Sequence, residues 1–194
     1  MTQGFDAGTL ACNASCTGYD TSLCMDVCTP TNLLTNGGFE NGPNGGGWTE
    51  ASLNFGTPVC DTATCGTGGG TGPSEGSYWV WIGGTNAAFE SASVTRSVVI
   101  PPGMATLTFQ FDMPSCESPA FASDSFTVRM DGNVLFSRTN SDPGCGAVGY
   151  ELVTLDVSAY ANGASHTLRF EGQTDDFFAA TNFFVDDVRL IGCQ

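Results

Sequence analysis

The chain has 194 residues, with 20 acidic residues against five basic ones and a formal net charge of −15. All five basic residues are arginines, so the chain contains no lysine. Such a surface argues against nucleic acid and anionic membranes as partners, because both are bound mainly through lysine and arginine. No run of about 18 apolar residues is present, which argues against membrane insertion.

Nine cysteines are many for a protein of this length, and they favour disulfides. Zinc is the alternative, since the spacings Cys12-x3-Cys16 and Cys24-x3-Cys28 are loosely finger-like. The CxxC knuckles of most zinc ribbons are missing, however. Disulfides form in oxidising compartments, so we predict a protein that is secreted or displayed at the cell surface.

The chain divides into two predicted parts. Residues 1–30 form a Cys-rich segment of small and polar residues with almost no strand pattern. The sequence Thr29-Pro30-Thr31 predicts a boundary, because proline cannot continue a strand ladder. Residues 31–194 are the predicted β domain, which contains a Gly-rich, loop-like stretch over 42–76 that is interrupted at 48–55.

Short strands separated by Gly, Pro and Asn turns make up the β domain. The apolar residues of 106–111 and 125–130 take every second place, as in antiparallel sheets with one buried face. Asp131-Gly132 predicts a hairpin turn. These features predict an all-β antiparallel β-sandwich or jelly roll. The predicted strands cover 33–40, 77–82, 92–100, 105–113, 125–130, 134–138, 152–157, 166–171 and 183–190.

Three segments carry a family resemblance: Asn36-Gly37-Gly38-Phe39-Glu40, the run GSYWVWIGG at 76–84, and the run FFVDDVRL at 183–190. In this order they resemble the jelly-roll accessory domains of bacterial secreted proteins. That group includes carbohydrate-binding modules and the MAM-like domains of secreted peptidases of the immune inhibitor A kind. Residues 4–16 are similar to the end of a Cys-rich repeat of myxobacterial surface proteins.

The resemblance implies a structural Ca²⁺ where the first and last strands of the domain meet. Its side-chain ligands are then Glu40 and Asp186. Backbone carbonyls near Gly38 and Ser77 complete the implied set of oxygen ligands.

The strand pattern itself predicts that the carboxylate of Asp186 requires a partner that satisfies its charge. This residue shares strand parity with Val188 and Leu190, so it is predicted to point inward. An inward carboxylate is costly unless it is satisfied. A calcium ion would satisfy it, and so would an arginine, with Arg96 and Arg169 available.

Six of the cysteines are assigned to three predicted bridges. Cys60 and Cys65 lie close together in a Gly-rich loop, Cys116 and Cys145 lie in turn-rich stretches, and the remaining bridge would join the two terminal strands. Cys12, Cys16 and Cys24 are left, from which one pair and one unpaired cysteine follow. The predicted bridges are Cys60–Cys65, Cys116–Cys145 and Cys28–Cys193.

The residues that usually carry catalysis are sparse. His166 is the one histidine, and no Gly-x-Ser-x-Gly elbow surrounds a serine. Without lysine, a phosphate loop of the Walker kind is absent. Pairs of carboxylates suited to glycoside hydrolysis exist, but any acidic protein offers them. We therefore predict no enzyme activity. The carboxylates considered are Glu75, Glu90, Asp112, Glu151, Asp175 and Asp176.

Aromatic side chains are the more informative candidates for binding. Trp79 and Trp81 share one strand face, opposite Tyr78. If that face is exposed, the two indoles offer flat surfaces on which sugar rings stack. If it is covered, they are core residues. Further candidates in loops are Trp48, Tyr150, Asp175, Asp176, Phe177 and Phe178.

These observations predict a non-catalytic extracellular module that binds polysaccharide or another glycan. One alternative is a structural or adhesive module that binds an extracellular protein or associates with itself, which predicts buried tryptophans. Another is an accessory domain of a larger secreted hydrolase. Fold alone does not choose among the three.

Overall fold

The computed structural model describes residues 7–8, 11–12, 15, 17, 19–20, 24–25, 28–117, 123–177 and 179–193. Nearly all regular structure in this part of the chain is β, apart from α1 (Thr62–Cys65) and a 3-10 turn (Ser158–Tyr160). None of the described helices is long and apolar enough to cross a membrane. The strands are β1 (Ala7–Gly8), β2 (Ala11–Cys12), β3 (Tyr19–Asp20), β4 (Cys24–Met25), β5 (Pro30–Asn32), β6 (Thr49–Ser52), β7 (Val59–Asp61), β8 (Tyr78–Gly83), β9 (Glu90–Val99), β10 (Ala105–Ser115), β11 (Ser125–Met130), β12 (Asn133–Thr139), β13 (Glu151–Asp156), β14 (Ser165–Thr174) and β15 (Asn182–Cys193).

Two antiparallel sheets form a sandwich, which confirms the predicted all-β jelly roll. The first sheet has the order β13-β10-β15-β8-β7, and β5 also pairs with β15. The second has the order β12-β11-β14-β9-β6. Before residue 28, β1 pairs with β4 and β2 pairs with β3.

Aromatic rings fill the space between the two sheets. Phe109 and Phe170 meet edge to face with centroids 5.2 Å apart, and Phe111 lies 4.9 Å from Phe126. All four side chains are buried. Contacts of this kind contribute about 0.5–1.5 kcal/mol each beyond the area they bury. The alternation seen in β10 and β11 therefore places one ring after another in the same core.

The hairpin between β11 and β12 has the predicted turn. Met130 pairs with Asn133, which leaves Asp131 and Gly132 as the two loop residues. Their φ angles are +49° and +82°. Both central residues of a type I′ turn require positive φ, which aspartate and glycine tolerate better than most residues.

The predicted strand over 33–40 is wrong. The strand here is β5, which begins at Pro30 and pairs with the end of β15, and turns follow it. Asn36 and Phe39 have φ angles of +55° and +59°, which interrupt an extended chain. Because β5 is short and pairs on one side with β15, Pro30 is tolerated as its first residue.

A bulge in β15 changes which face Asp186 occupies. Thr108 pairs with Arg189, but Gln110 pairs with Asp186, so β15 has one residue more than β10 over this stretch. Asp187 has a φ of +45° at this point. The bulge reverses the alternation. Asp186 therefore faces outward from the sandwich, and the prediction that it points inward with Val188 and Leu190 is wrong.

The described residues contain three disulfides, which are the three predicted pairs. Cys28 and Cys193 join β5 to β15, with their Cα atoms 4.8 Å apart. The side chains of Cys12, Cys16 and Cys24 lie outside the described part of the structure, so their pairing stays a prediction. The bridges are Cys28–Cys193, Cys60–Cys65 and Cys116–Cys145.

The disulfides that close the longest and the shortest loop, Cys28–Cys193 and Cys60–Cys65, should differ in how much they stabilise the protein. Cys28 and Cys193 are 165 residues apart, whereas Cys60 and Cys65 are five apart. Loop-closure entropy predicts losses of about 5 kcal/mol and about 2 kcal/mol when each pair is replaced by serine. Urea unfolding of the two double variants against the parent protein measures both. Equal losses would contradict the entropic account.

Candidate functional site

The Gly-rich segment 66–77 covers the outer face of the first sheet. A Cβ added at Gly68 would lie 2.4 Å from Cζ2 of Trp81, and one at Gly70 would lie 2.8 Å from Cε2 of Phe184. Glycine is therefore required for the segment to approach the rings so closely. The hydroxyl of Tyr150 donates to the carbonyl of Gly72 at 2.8 Å and holds the segment down.

Beneath this segment, three rings form an outer aromatic cluster of Trp79, Trp81 and Phe184. The two indoles stack with centroids 6.3 Å apart, and Phe184 meets both edge-on. Trp79 is 0% exposed, so it has no ring face to offer a ligand. Its predicted role as a sugar platform is wrong, because the ring is completely buried against Trp81 and Phe184.

Trp48 is also a core residue rather than a binding residue. It is buried, its ring centroid lies 5.3 Å from that of Phe39, and its Nε1 donates to the carbonyl of Asn36 at 2.9 Å. Satisfying the indole N–H inside the protein makes this burial favourable. The prediction that Trp48 contacts a ligand is therefore wrong.

Trp81 is half-buried and reaches an edge groove of about 420 Å³ beside β7. Its Nε1 donates to Oδ1 of Asn182 at 2.8 Å, which fixes the ring. The groove combines aromatic walls with polar groups. The side chains that matter for its chemistry are Phe55, Thr57, Asp61, Thr64, Tyr78 and Trp81.

A short, cross-linked segment builds one wall of the edge groove. Cys60 and Cys65 close a loop around α1, and Asp61 caps that helix by accepting a hydrogen bond from the N–H of Thr64 at 2.6 Å. The same N–H lowers the pKa of Asp61. Asp61 is thus held as a carboxylate at the groove, where it is half-buried.

Phe55 is the exposed aromatic residue among several groove residues that sequence reasoning missed. Its side chain is 56% exposed at the groove. A large apolar residue within the glycine-rich stretch 42–76, five positions before Cys60, was the available signal. The other groove residues that sequence reasoning missed include Thr57, Asp61, Thr64 and Tyr78.

The two acids predicted to bind calcium contact the same segment, 74–78. Asp186 is buried, and its Oδ2 accepts from the N–H groups of Ser74 at 2.8 Å and Glu75 at 3.1 Å. Glu40 accepts from the N–H groups of Ser77 at 2.9 Å and Tyr78 at 3.0 Å. The outward turn of the β15 bulge makes this meeting possible.

Neither arginine that was considered as a partner for Asp186 fills that role. Arg96 donates to the carbonyls of Thr35 and Gly46. Arg169 pairs with Glu171 at 2.6 Å. Asp186 is instead held by backbone N–H groups.

A space lined by carboxylate oxygens lies at Gly38. A Cβ at this position would be 3.3 Å from Oε1 of Glu75 and 3.8 Å from Oδ1 of Asp186. We name Gly38, Glu40, Glu75 and Asp186 the acidic corner. Burial raises the pKa of Asp186 to about 6, although the backbone donors act against it, and the charge of Glu75 raises it too.

The predicted loop candidates near 175 are separate from the edge groove. The carboxylate of Asp175 accepts from the N–H of Phe177 at 3.0 Å, and Phe177 is 63% exposed. Asp176 is exposed. Phe178 lies outside the described residues. Within the described part of the chain, the groove lining includes neither these residues nor Tyr150.

His166 is a structural residue of β14. Its Nδ1 lies 2.7 Å from Oδ2 of Asp131, and its Nε2 lies 3.1 Å from Oδ1 of Asn162. Both ring nitrogens are thus engaged by hydrogen-bond partners in a side chain that is 6% exposed. Among the candidate acids, Glu90 is fully buried and accepts from the Ser52 hydroxyl, so its surroundings are also structural.

No protein-family profile matches this sequence, and no curated protein is similar to it. Solved structures do share its fold. The carbohydrate-binding module TmCBM61, solved with β-1,4-galactotriose, is 16% identical with a TM-score of 0.56 and covers 82% of this chain and 97% of its own. The K1 cleaved adhesin domain of Lys-gingipain from Porphyromonas gingivalis W83 is 12% identical with a TM-score of 0.50. The match covers 87% of this chain and 99% of the adhesin domain. At these identities the likeness shows the fold, which is the jelly-roll sandwich.

The contact between Asp131 and His166 gives the protein a pH-dependent stability. Hydrogen bonds from Thr167 and His166 lower the pKa of Asp131, so its contribution is complete above about pH 4 and is lost as the pH falls through the lowered value. Asp131→Asn keeps a residue that tolerates positive φ. We expect it to cost about 1 kcal/mol at about pH 6. The loss should shrink towards about pH 2.

Urea unfolding at both pH values measures this difference, with Asp176→Asn as a control for removing an exposed charge. A loss that is independent of pH would show that the ionised carboxylate contributes nothing beyond the turn.

Proposed function

We propose that this chain is a non-catalytic, extracellular carbohydrate-binding module that holds a neutral polysaccharide in the edge groove. The observation that carries the proposal is the groove itself, in which Phe55, Tyr78 and Trp81 lie beside Asp61 and two threonines. Aromatic rings bind the C–H faces of sugars, and carboxylate and hydroxyl groups bind their hydroxyls. The three disulfides support a location outside the cytosol.

The charge of the protein supports a neutral ligand. The chain carries a net charge of −15, and Asp61 places a carboxylate at the groove. A polyanionic glycan would be repelled by both. The module TmCBM61 has the same fold and was solved with a neutral galactotriose, which makes β-1,4-galactan the first polysaccharide to test.

A structural or adhesive role is the second candidate. Burial of Trp48 and Trp79 is what that role predicts, and the K1 domain of Lys-gingipain is named an adhesin domain. Light scattering tests the adhesive role, because an adhesive module that builds assemblies associates with itself at concentrations where a glycan-binding module stays monomeric. An accessory domain of a larger secreted hydrolase is a separate, third candidate.

Truncation of Phe55 should remove binding without damaging the core. Because Phe55→Ala deletes an exposed ring of the groove, we expect retardation in a β-1,4-galactan affinity gel to fall by about tenfold, from a lost stacking contact of about 1–1.5 kcal/mol. Phe89→Ala is the matched control, since Phe89 is 46% exposed but does not line the groove. It should migrate like the parent protein.

Phe177→Ala tests the other exposed aromatic candidate. If Phe177→Ala abolishes retardation while Phe55→Ala does not, the ligand binds at the 175–177 loop and the edge groove is the wrong site. If the parent protein migrates unchanged through a broad panel of neutral polysaccharides, the carbohydrate-binding function itself is refuted.

We also propose that the acidic corner holds a structural Ca²⁺. Glu75 and Asp186 both present a carboxylate oxygen close to Gly38, and a hard cation is bound by such oxygens at about 2.3–2.6 Å. Glu40 orients the 74–78 segment and has lone pairs left for an ion. Carbonyls near Gly38 and Ser77 complete the proposed set. A cation here would compensate the buried charge of Asp186.

Gly38→Ala tests the calcium proposal without altering any carboxylate. Its methyl carbon would lie 3.3 Å from Oε1 of Glu75 and 3.8 Å from Oδ1 of Asp186, where it would compete with an ion for room. For the parent protein, calcium at about ten times its Kd should raise Tm by about 3–6 °C over the chelated protein. Gly38→Ala should lose a large part of this rise while melting close to the parent in chelator. An equal calcium-induced rise in both proteins would contradict the proposal.

A further inference from the structure

Four strand ends bring a second group of acids together at one place in the sandwich. Glu117 follows β10, Asp124 precedes β11 and Asp175 follows β14. Ligand oxygens of these three carboxylates all lie within 4.8 Å of one another. Asn140 follows β12, and its Nδ2 lies 3.3 Å from Oε2 of Glu117. We name these four residues the strand-end cluster.

Burial makes the charges of the strand-end cluster expensive. Glu117 is 4% exposed and Asp124 is 1% exposed, while Asp175 is half-buried. Burial, together with the charges of Asp175 and Asp124, raises the pKa of Glu117. Like charges this close repel one another strongly unless a cation lies between them.

No side-chain cation of this chain is free to neutralise the cluster. The chain has no lysine, and its five arginines and one histidine are all engaged with other partners. Those pairings are Arg96 with Thr35 and Gly46, Arg129 and Arg169 with Glu171, Arg138 with Glu151, Arg189 with Asp187, and His166 with Asp131.

Hydrogen bonds satisfy some of the polar atoms of the strand-end cluster but leave the buried amide oxygen of Asn140 without a partner. Asp124 Oδ1 accepts from the N–H of Asp175 at 2.8 Å, and the Ser123 hydroxyl donates to Glu117 Oε2 at 3.2 Å. Asn140, which is 2% exposed, is different, because its Oδ1 is buried and has no hydrogen-bond partner. Buried carbonyl oxygens are rarely left in this state.

The unpaired amide oxygen points to a missing ligand at the cluster. The amide of Asn140 already contacts Glu117, and a half-turn of the amide exchanges Oδ1 with Nδ2. That turn would bring the oxygen against a carboxylate, which is unfavourable unless a cation lies between them. One ion would therefore satisfy the amide oxygen and neutralise the carboxylates together.

We propose that the strand-end cluster is a second calcium site, with Glu117, Asp124, Asp175 and Asn140 as its side-chain ligands. Carboxylate and amide oxygens are the ligands that calcium prefers, and 6–8 oxygens at flexible geometry can be completed by water. The group contains no thiolate or imidazole, which argues against zinc. Magnesium demands near-ideal octahedral geometry, which four side chains from separate strand ends are less suited to provide.

The position of the site explains what the ion would do. Cys116 immediately precedes Glu117, and its bridge to Cys145 ties β10 to the loop that follows Asn140. The ion would join the ends of β11 and β14 to the same point. It would thus fasten four strand ends, drawn from both sheets, where the sandwich has no side-chain salt bridge to do so among the described residues.

Asp175→Asn and Asp176→Asn form a matched pair of variants that tests the second site. Both remove one carboxylate from neighbouring positions, but Asp176 is exposed and lies outside the cluster. Calcium-depleted protein is dialysed against calcium up to about 10 mM, above the range in which extracellular modules bind it. We expect Asp175→Asn to bind one ion fewer per chain than the parent, or to bind it about tenfold more weakly. Asp176→Asn should match the parent.

Melting in chelator separates loss of a ligand from damage to the fold. Without calcium, Asp175→Asn and Glu117→Gln should melt at or above the temperature of the parent, because each removes a repelling charge. With calcium, both should gain less than the parent gains. The difference between the parent and Asp175→Asn does not depend on whether the acidic corner also binds calcium.

Two results would overturn the second site: equal calcium binding, with equal affinity, by Asp175→Asn and the parent protein, or no calcium binding by the parent within the range tested. Full displacement of calcium by magnesium at the same concentration would overturn the assignment to calcium.

Discussion

The scarcity of side-chain cations decides how this protein buries its acids. Among the described residues, five acidic side chains are almost completely inaccessible, and the arginines are engaged elsewhere. Glu90 is satisfied by the Ser52 hydroxyl and by the backbone and side chain of Asn54. Asp186 relies on backbone N–H groups alone. Donors of this kind offset desolvation only in part, as the raised pKa of Asp186 shows. The buried acids are Glu90, Asp112, Glu117, Asp124 and Asp186.

The bulge at Asp187 marks the limit of what alternation predicts. Strands β10 and β11 are predicted because their apolar residues take every second position, and the Asp131-Gly132 turn is predicted because few residues accept its φ angles. A bulge adds one residue without any change in composition. The apolar pattern of the sequence therefore did not indicate that Asp186 and Val188 lie on opposite faces of the sheet. The burial of Asp186 was anticipated for a reason that proved incorrect. Its proximity to Glu40 came from the family resemblance.

Long-range contacts of the Gly-rich segment were equally invisible in the sequence. Asn182 donates to the carbonyl of Gly68, 114 positions away, at 2.7 Å, and accepts from Trp81 and from the N–H of Gly84. Such a contact depends on where the fold brings the chain, not on local propensity. The run from 66 to 72 was predicted as a loop, but its glycines make it a close-fitting cover. For the same reason, the place of Glu75 in the acidic corner was not predicted, since it depends on where the fold brings the end of this segment.

Because the Gly-rich segment covers Trp81 and Phe184 on the outer face of the first sheet, the open groove of this sheet lies at its edge. With Trp79 sealed and Trp81 half-buried, the aromatic surface that remains open lies beside β7, the short edge strand. An edge strand presents unpaired backbone groups that invite aggregation. Here β7 has three residues and continues into α1, and the Cys60–Cys65 bridge fixes that turn. The exposed groove residues Phe55 and Thr64 therefore lie on a cross-linked margin outside the Phe-rich core, where substitutions should leave the packing between the sheets undisturbed.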